Sequence, residues 1–448
     1  MGLRDLVVTP FVLFIVYVVA FLIRPKVTNK DTKRYFIPAL TVKIIGASAI
    51  GFIYQFYYHG GDTFAFHTHG SRVIWEAFID NPLDGLSLFF SDGNYSGSAF
   101  KYAMRIWYYD DPQSFIIIQI ATILDLLTFS SYSATAILFS LLSFSGVWAL
   151  YLTFYKLFRH LSFYLALSIL FVPSVFFWGS GILKDTLTLG CLGWMIYCFN
   201  ELIINRKRSI VLLGVFILSA VLMYAVKVYI ILSLVPALLI WFTAKYFTTI
   251  KRTVFKILLV PIFFSISVFV GYVLVRKVGE DNPKYALENL AKTAQITAYD
   301  IRYGWGARLG EGSGYTLGEL DGSFESVIRL APNAINVSLF RPYLWEVRNP
   351  LMLLSALEAL FCLLLTLWVF YKVPFPNLFK AFFSPEVLFC LVFALVFAFA
   401  VGISTFNFGT LARYKIPLLP FYLTGMILIY NYGTSKRERK FSLLDSTE

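Results

Sequence analysis

Apolar runs long enough to cross a lipid bilayer recur from one end of this chain to the other. A hydrocarbon core of about 30 Å takes roughly 20 helical residues. Such runs read at 6–23, 36–57, 134–155, 161–178, 187–204, 209–226, 228–248, 254–275, 351–371, 385–403 and 416–431. In lipid every backbone N–H and C=O must be satisfied within the protein, which leaves only helices and closed barrels as spanning structures. Alternating strands of roughly ten residues do not recur, so the pattern predicts an all-α polytopic membrane protein with about eleven transmembrane helices.

Composition closes the other routes. The chain is 58% hydrophobic and 14% charged, against about a quarter charged in soluble domains. Its net charge of +12 is spread over short clusters between apolar runs rather than over one face, which argues against nucleic acid and for membrane orientation. Cys191, Cys198, Cys362 and Cys390 lie inside apolar runs and give no disulfide framework or metal spacing. The run at 6–23 is too long for a signal-peptide core and has no small-residue cleavage site after it, so it reads as a span.

Lys and Arg clusters at 24–34, 156–159, 206–208, 245–256, 372–380 and 436–440 are expected to be cytoplasmic by the positive-inside rule. The N-terminus then lies outside and the C-terminus inside. The whole of 1–448 reads as one membrane domain, with a first outer loop at 57–133, a long outer loop at 277–350 and a basic cytoplasmic tail at 432–448. Phe115–Phe129, interrupted by Gln119 and Asp125, reads as a re-entrant or interfacial helix, beside amphipathic helices at Arg72–Phe90 and Ala99–Tyr109.

Three polar stretches stand out. The first, His59-Gly-Gly-Asp62 through His67-Thr-His69-Gly70, gathers a carboxylate and imidazoles at the end of a span. Asp62 reads as a general base for an acceptor hydroxyl, or as the acid that opens a helix after the paired glycines stop the previous one. Asp62, His67 and His69 read as ligands for a divalent cation, or the histidines simply meet headgroups and water. Asp110-Asp111 before Pro112 joins that site or forms a proline turn. The second, Phe177-Trp-Gly-Ser-Gly-Ile-Leu-Lys184-Asp185, sets a lysine at a helix start, where free amides favour a phosphate, or where it is an ordinary snorkelling lysine with Asp185 as the acid of the first turn. Lys227 nearby reads as a solvated turn residue. The third, Arg413-Tyr414-Lys415-Ile-Pro417-Leu-Leu-Pro420, puts cations at the expected outer mouth of the last span, where Arg suits bidentate phosphate recognition. Arg341 and Arg348 flank Tyr343 and Trp345 and read as further anion ligands or as an interfacial anchor.

These motifs, in this order, resemble the GT-C superfamily of membrane glycosyltransferases. The resemblance covers most of the chain in architecture and three short motifs in detail. It implies a polyprenyl-phosphate or polyprenyl-diphosphate sugar donor in the bilayer and a glycan, lipid or protein acceptor. Asp62 is then the catalytic carboxylate, and Lys184 and Arg413, with Tyr414, Arg341 and Arg348 about them, hold the lipid phosphate. The extra first span and the missing terminal soluble domain depart from the family. Lipid-linked oligosaccharide polymerases and ligases share the motifs loosely, and a lipid or polysaccharide transporter is a further reading without an inverted repeat to support it.

Overall fold

The computed structural model describes residues 2–249 apart from 92 and 94–96, and 313–444 apart from 320 and 322, with 265, 269, 273, 276, 277, 291, 292 and 294–299 between them. The expected span at 254–275 and the outer loop from 277 to 312 lie very largely outside the described residues. Among the described residues there is no β-strand, only an isolated bridge between Gly314 and Asn407. Seven helices there are long and apolar enough to cross a membrane. The chain divides into two compact units, Met1–Lys227 and Val228–Glu448.

The first unit contains α1 (Leu3–Val27), α2 (Lys33–Phe56), α3 (Asp62–Phe66), α4 (Arg72–Asp80), α5 (Pro82–Phe89), α6 (Phe100–Ala103), α7 (Pro112–Thr128), α8 (Tyr132–Leu157), α9 (Ser162–Ile169), α10 (Pro173–Trp178) and α11 (Lys184–Phe199). The long helix α12 (Ile210–Thr249) is broken at Lys227, whose φ of −146° and ψ of 76° are not helical, and this is the last residue of the unit. Glycines decide how closely α8 and α11 approach. A Cβ on Gly146 would land on the carbonyl of Gly190, and one on Gly193 would land on the carbonyl of Gly146. Small residues at such a crossing let backbones touch, which is the main source of helix association in lipid.

The expected span at 161–178 is two helices, α9 and α10, separated at Leu170–Val172 by the proline that opens α10. At 1.5 Å per residue the halves are about 12 and 9 Å long, so neither crosses alone. Broken backbone at this depth needs protein partners. Where α10 ends, the carbonyls of Val175 (3.2 Å) and Gly179 (2.8 Å) accept from the ammonium of the buried Lys43 of α2, which also donates to the Ser143 hydroxyl (2.9 Å). The helix expected over Arg72–Phe90 is likewise two, α4 and α5, hinged where Asn81 caps Leu83 ahead of Pro82. Of Ala99–Tyr109 only Phe100–Ala103 is helical. The apolar segment near 115–129 is α7, about 25 Å long.

The second unit begins with the rest of α12 and continues, in its described part, with α13 (Phe324–Arg329), α14 (Ala331–Phe340), α15 (Pro350–Lys372), α16 (Phe375–Phe382), α17 (Pro385–Thr405), α18 (Phe408–Tyr414) and α19 (Leu419–Leu444). Asn349 and Asn407 cap α15 and α18 through their side chains. The start of α19 packs low on α17: the Phe421 ring lies 5.8 Å from that of Phe389 and 4.7 Å from that of Phe393. Those residues are roughly 20 Å down the helix from Thr405. Residues 406–418 therefore run back along α17 before α19 begins, and Lys415 through Pro420 are all buried.

Candidate functional site

The Gly-Gly-Asp stretch is a chain reversal. His59, Gly60 and Gly61 all take positive φ (54°, 143° and 119°), and the Gly60 amide donates to the Tyr54 carbonyl at 2.8 Å. Gly61 is required twice over, since a Cβ there would lie 2.7 Å from the Tyr54 ring. Asp62 opens α3, half-buried, at the positive end of that short helix. Its neighbours dock on Tyr132: the Thr63 and Tyr132 hydroxyls are 2.8 Å apart, and the Phe64 ring stacks at 4.4 Å.

His67–Ser71 forms a π-helical turn with His69 out of helical geometry, and it sends the two histidines different ways. His67 is fully buried with Nε2 3.4 Å from Asp125 Oδ1. Asp125, also fully buried, accepts hydroxyls from Ser71 (2.6 Å) and Thr135 (2.5 Å). His69 instead stacks face to face on Trp107 at 4.0 Å, and its partial burial pushes its imidazole below the ordinary value, toward the neutral form. The expected cation ligands Asp62, His67 and His69 are thus not brought together. Among the described residues no three His, Cys, Asp or Glu side chains gather to hold a metal ion.

Beside this turn lies a polar cavity of about 650 Å³, bordered by His59, Thr68, His69, Arg72 and Glu76. Gly60 and Phe64, which flank Asp62, also line it, as do Arg4 and Asp5 of α1. Its walls are cross-braced. Arg72 donates to the Ser130 hydroxyl and carbonyl (3.2 and 3.1 Å), Arg105 pairs with Glu76 at 2.6 Å, and Arg4 lies over the Trp75 ring.

Lys184 is the first residue of α11, as its sequence predicts, and its Nζ lies 3.3 Å from Asp111 Oδ2. Asp111 caps α7 through the Gln113 amide and the Ser114 hydroxyl. Burial pushes the Asp111 carboxyl up, but the Ser114 hydroxyl, the Lys184 ammonium and the Gln113 amide outweigh it and hold the group below the ordinary carboxylate value. With Lys184 18% and Asp111 44% exposed, the pair is open to a ligand. The next residue, Asp185, turns inward and pairs with Lys227. Lys227 is therefore not a solvated turn residue: the break in α12 buries it against an acid.

Four other predicted residues, Arg341, Arg348, Arg413 and Tyr414, belong to the second unit. Arg341 makes a bidentate pair with Glu346, Nε to Oε2 at 3.0 Å and Nη2 to Oε1, beneath the rings of Tyr315, Tyr343 and Phe408. Burial raises the Glu346 carboxyl, and Arg341, the Tyr343 amide and Arg348 more than offset this, leaving it below its usual value. Arg348 is exposed, and the half-buried Arg413 lies 5.8 Å from the Tyr414 ring. Lys415, read with Arg413 as a cation in need of an anionic partner, was not assigned a site role of its own. It is buried, its ammonium makes no hydrogen bond with a described residue, and with Glu358 it lies within electrostatic range of the Cys362 thiol. An ionisable group at this depth is a functional candidate by default. Its signal was present as a cation two residues from Arg413, next to an apolar run.

No protein-family model, no curated protein and no solved structure matches this chain.

Proposed function

We propose that this chain is an integral-membrane glycosyltransferase that moves a sugar from a polyprenyl-phosphate or polyprenyl-diphosphate donor to an acceptor hydroxyl. The observation that carries the reading is Lys184: a partly exposed cation at the start of a membrane-length helix, beside free backbone amides and paired, among the described residues, with the half-exposed Asp111. A lipid phosphate arriving there exchanges one anionic partner for another. Lys184 then stabilises the departing phosphate, while Asp62 takes the proton of the attacking hydroxyl with inversion at the sugar carbon.

In this reading the membrane is a bacterial inner membrane crossed about eleven times, with the N-terminus and the site on the outer side and the C-terminus in the cytoplasm. A divalent cation is an optional aid to charge neutralisation. The test is Asp62→Asn in purified protein supplied with lipid-linked sugar. Transfer is expected to be lost while the protein still binds the lipid, and turnover retained in that variant refutes the assignment of Asp62.

A further inference from the structure

A second cavity, of about 820 Å³, lies within the first unit between α1, α2 and α8. Its cause is visible in how α1 is attached. Near its N-terminus Asp5 accepts the Ser131 hydroxyl and the Ser133 amide, both at 2.8 Å. Just past its other end the Trp148 indole donates to the Val27 carbonyl at 3.3 Å. Between these two anchors α1 buries only Val16 and Ala20. The wall it leaves is apolar, with Ile15, Val19, Phe36, Leu40, Leu141 and Leu152 along it.

From Ile15 to Val27 the cavity runs about 18 Å along the helix. It ends at Lys26, Lys156 and Arg159, all exposed. Lys156 is paired with Glu201 at 2.8 Å. Neither Lys26 nor Arg159 makes an ion pair with another described residue. A lengthwise apolar gap in the wall of a membrane bundle forfeits dispersion contacts unless a chain fills it, and two cations at its end select the charge of what enters.

We propose that this groove binds one phospholipid with a net-negative headgroup, its acyl chain along α1 and its phosphate at Lys26 and Arg159. The site is separate from Lys184 and does not depend on the transferase reading. Basic pockets between helix ends are recognised in this way by charge, worth about 1 kcal/mol per cation at a membrane surface.

Native mass spectrometry of the full-length protein, released from detergent with phosphatidylglycerol or phosphatidylethanolamine added, reads occupancy directly. Phosphatidylglycerol is expected to bind more tightly. The Lys26→Gln, Arg159→Gln double variant should lose roughly thirtyfold of that affinity, which removes the preference over phosphatidylethanolamine. Leu141→Trp, which fills the apolar wall and keeps both cations, should lose lipid of either kind. Equal affinity for the two lipids overturns the proposal, as does phosphatidylglycerol binding that survives both variants.

Discussion

Lys184 and Asp111 sit 3.3 Å apart, one at the start of α11 and the other capping α7, so each helix places its own polar terminus against that of the other. Ion pairs this exposed stabilise a fold by about 0–1 kcal/mol. Breaking the pair while keeping the Asp111 cap should therefore barely move the melting temperature, and what the pair mainly decides is whether Lys184 is free for an anion.

The two residues then predict opposite signs. Asp111→Asn keeps the helix cap, because Asn caps about as well as Asp, and releases Lys184, so affinity for a short-chain polyprenyl phosphate should rise. Lys184→Ala should lower it roughly tenfold or more, the value of a charge-assisted hydrogen bond. Isothermal titration of both variants in detergent checks this. A fall in both would make the pair a structural brace and nothing more.

Asp125 is the acceptor for a buried hydroxyl cluster. Removing it in Asp125→Ala leaves the hydroxyls of Ser71 and Thr135 and the His67 ring without that carboxylate, all at zero exposure. The loss should be about 3 kcal/mol of stability, against a smaller loss for Asp125→Asn, which keeps one acceptor oxygen. Thermal unfolding followed by tryptophan fluorescence measures it. A change within a few tenths of a kcal/mol would mean that water replaces the carboxylate.

What was legible in the sequence is what local patterning controls. The apolar runs at 36–57, 134–155, 351–371 and 385–403 became α2, α8, α15 and α17, because burying about twenty residues in lipid leaves helix as the one local answer. Two helix starts, Asn349-Pro350 and Asp111-Pro112, were not read as caps, although each side chain caps the helix that its proline opens. The partner of His67 was not legible, since nothing near Asp125 in the chain announces that the π-helical turn will aim an imidazole at it. Nor was the contact of Gly146 with Gly190 and Gly193, which depends on the crossing of two helices. Lys43 was hidden inside an apolar run, and only the end of α10 at Trp178 leaves the carbonyls it serves.

Glu346 gives a pH dependence. Its carboxyl is held below the ordinary value of 4.5 by Arg341, the Tyr343 amide and Arg348 in spite of burial. A carboxylate depressed in the folded state contributes stability above its unfolded pKa and loses it as pH falls through the folded one. The Arg341 pair should therefore be intact at neutral pH, survive at pH 4.5 and open only in more acid solution. Trp345, exposed and stacked on Tyr343 at 4.8 Å, is the reporter beside it. Its fluorescence should be flat from pH 8 to 4.5 and change below that. Glu346→Gln should show the acid signal at pH 7 with a stability loss of about 2 kcal/mol. A wild-type transition centred above pH 4.5 would mean that burial outweighs Arg341, and that this corner is held by its aromatic rings rather than by the ion pair.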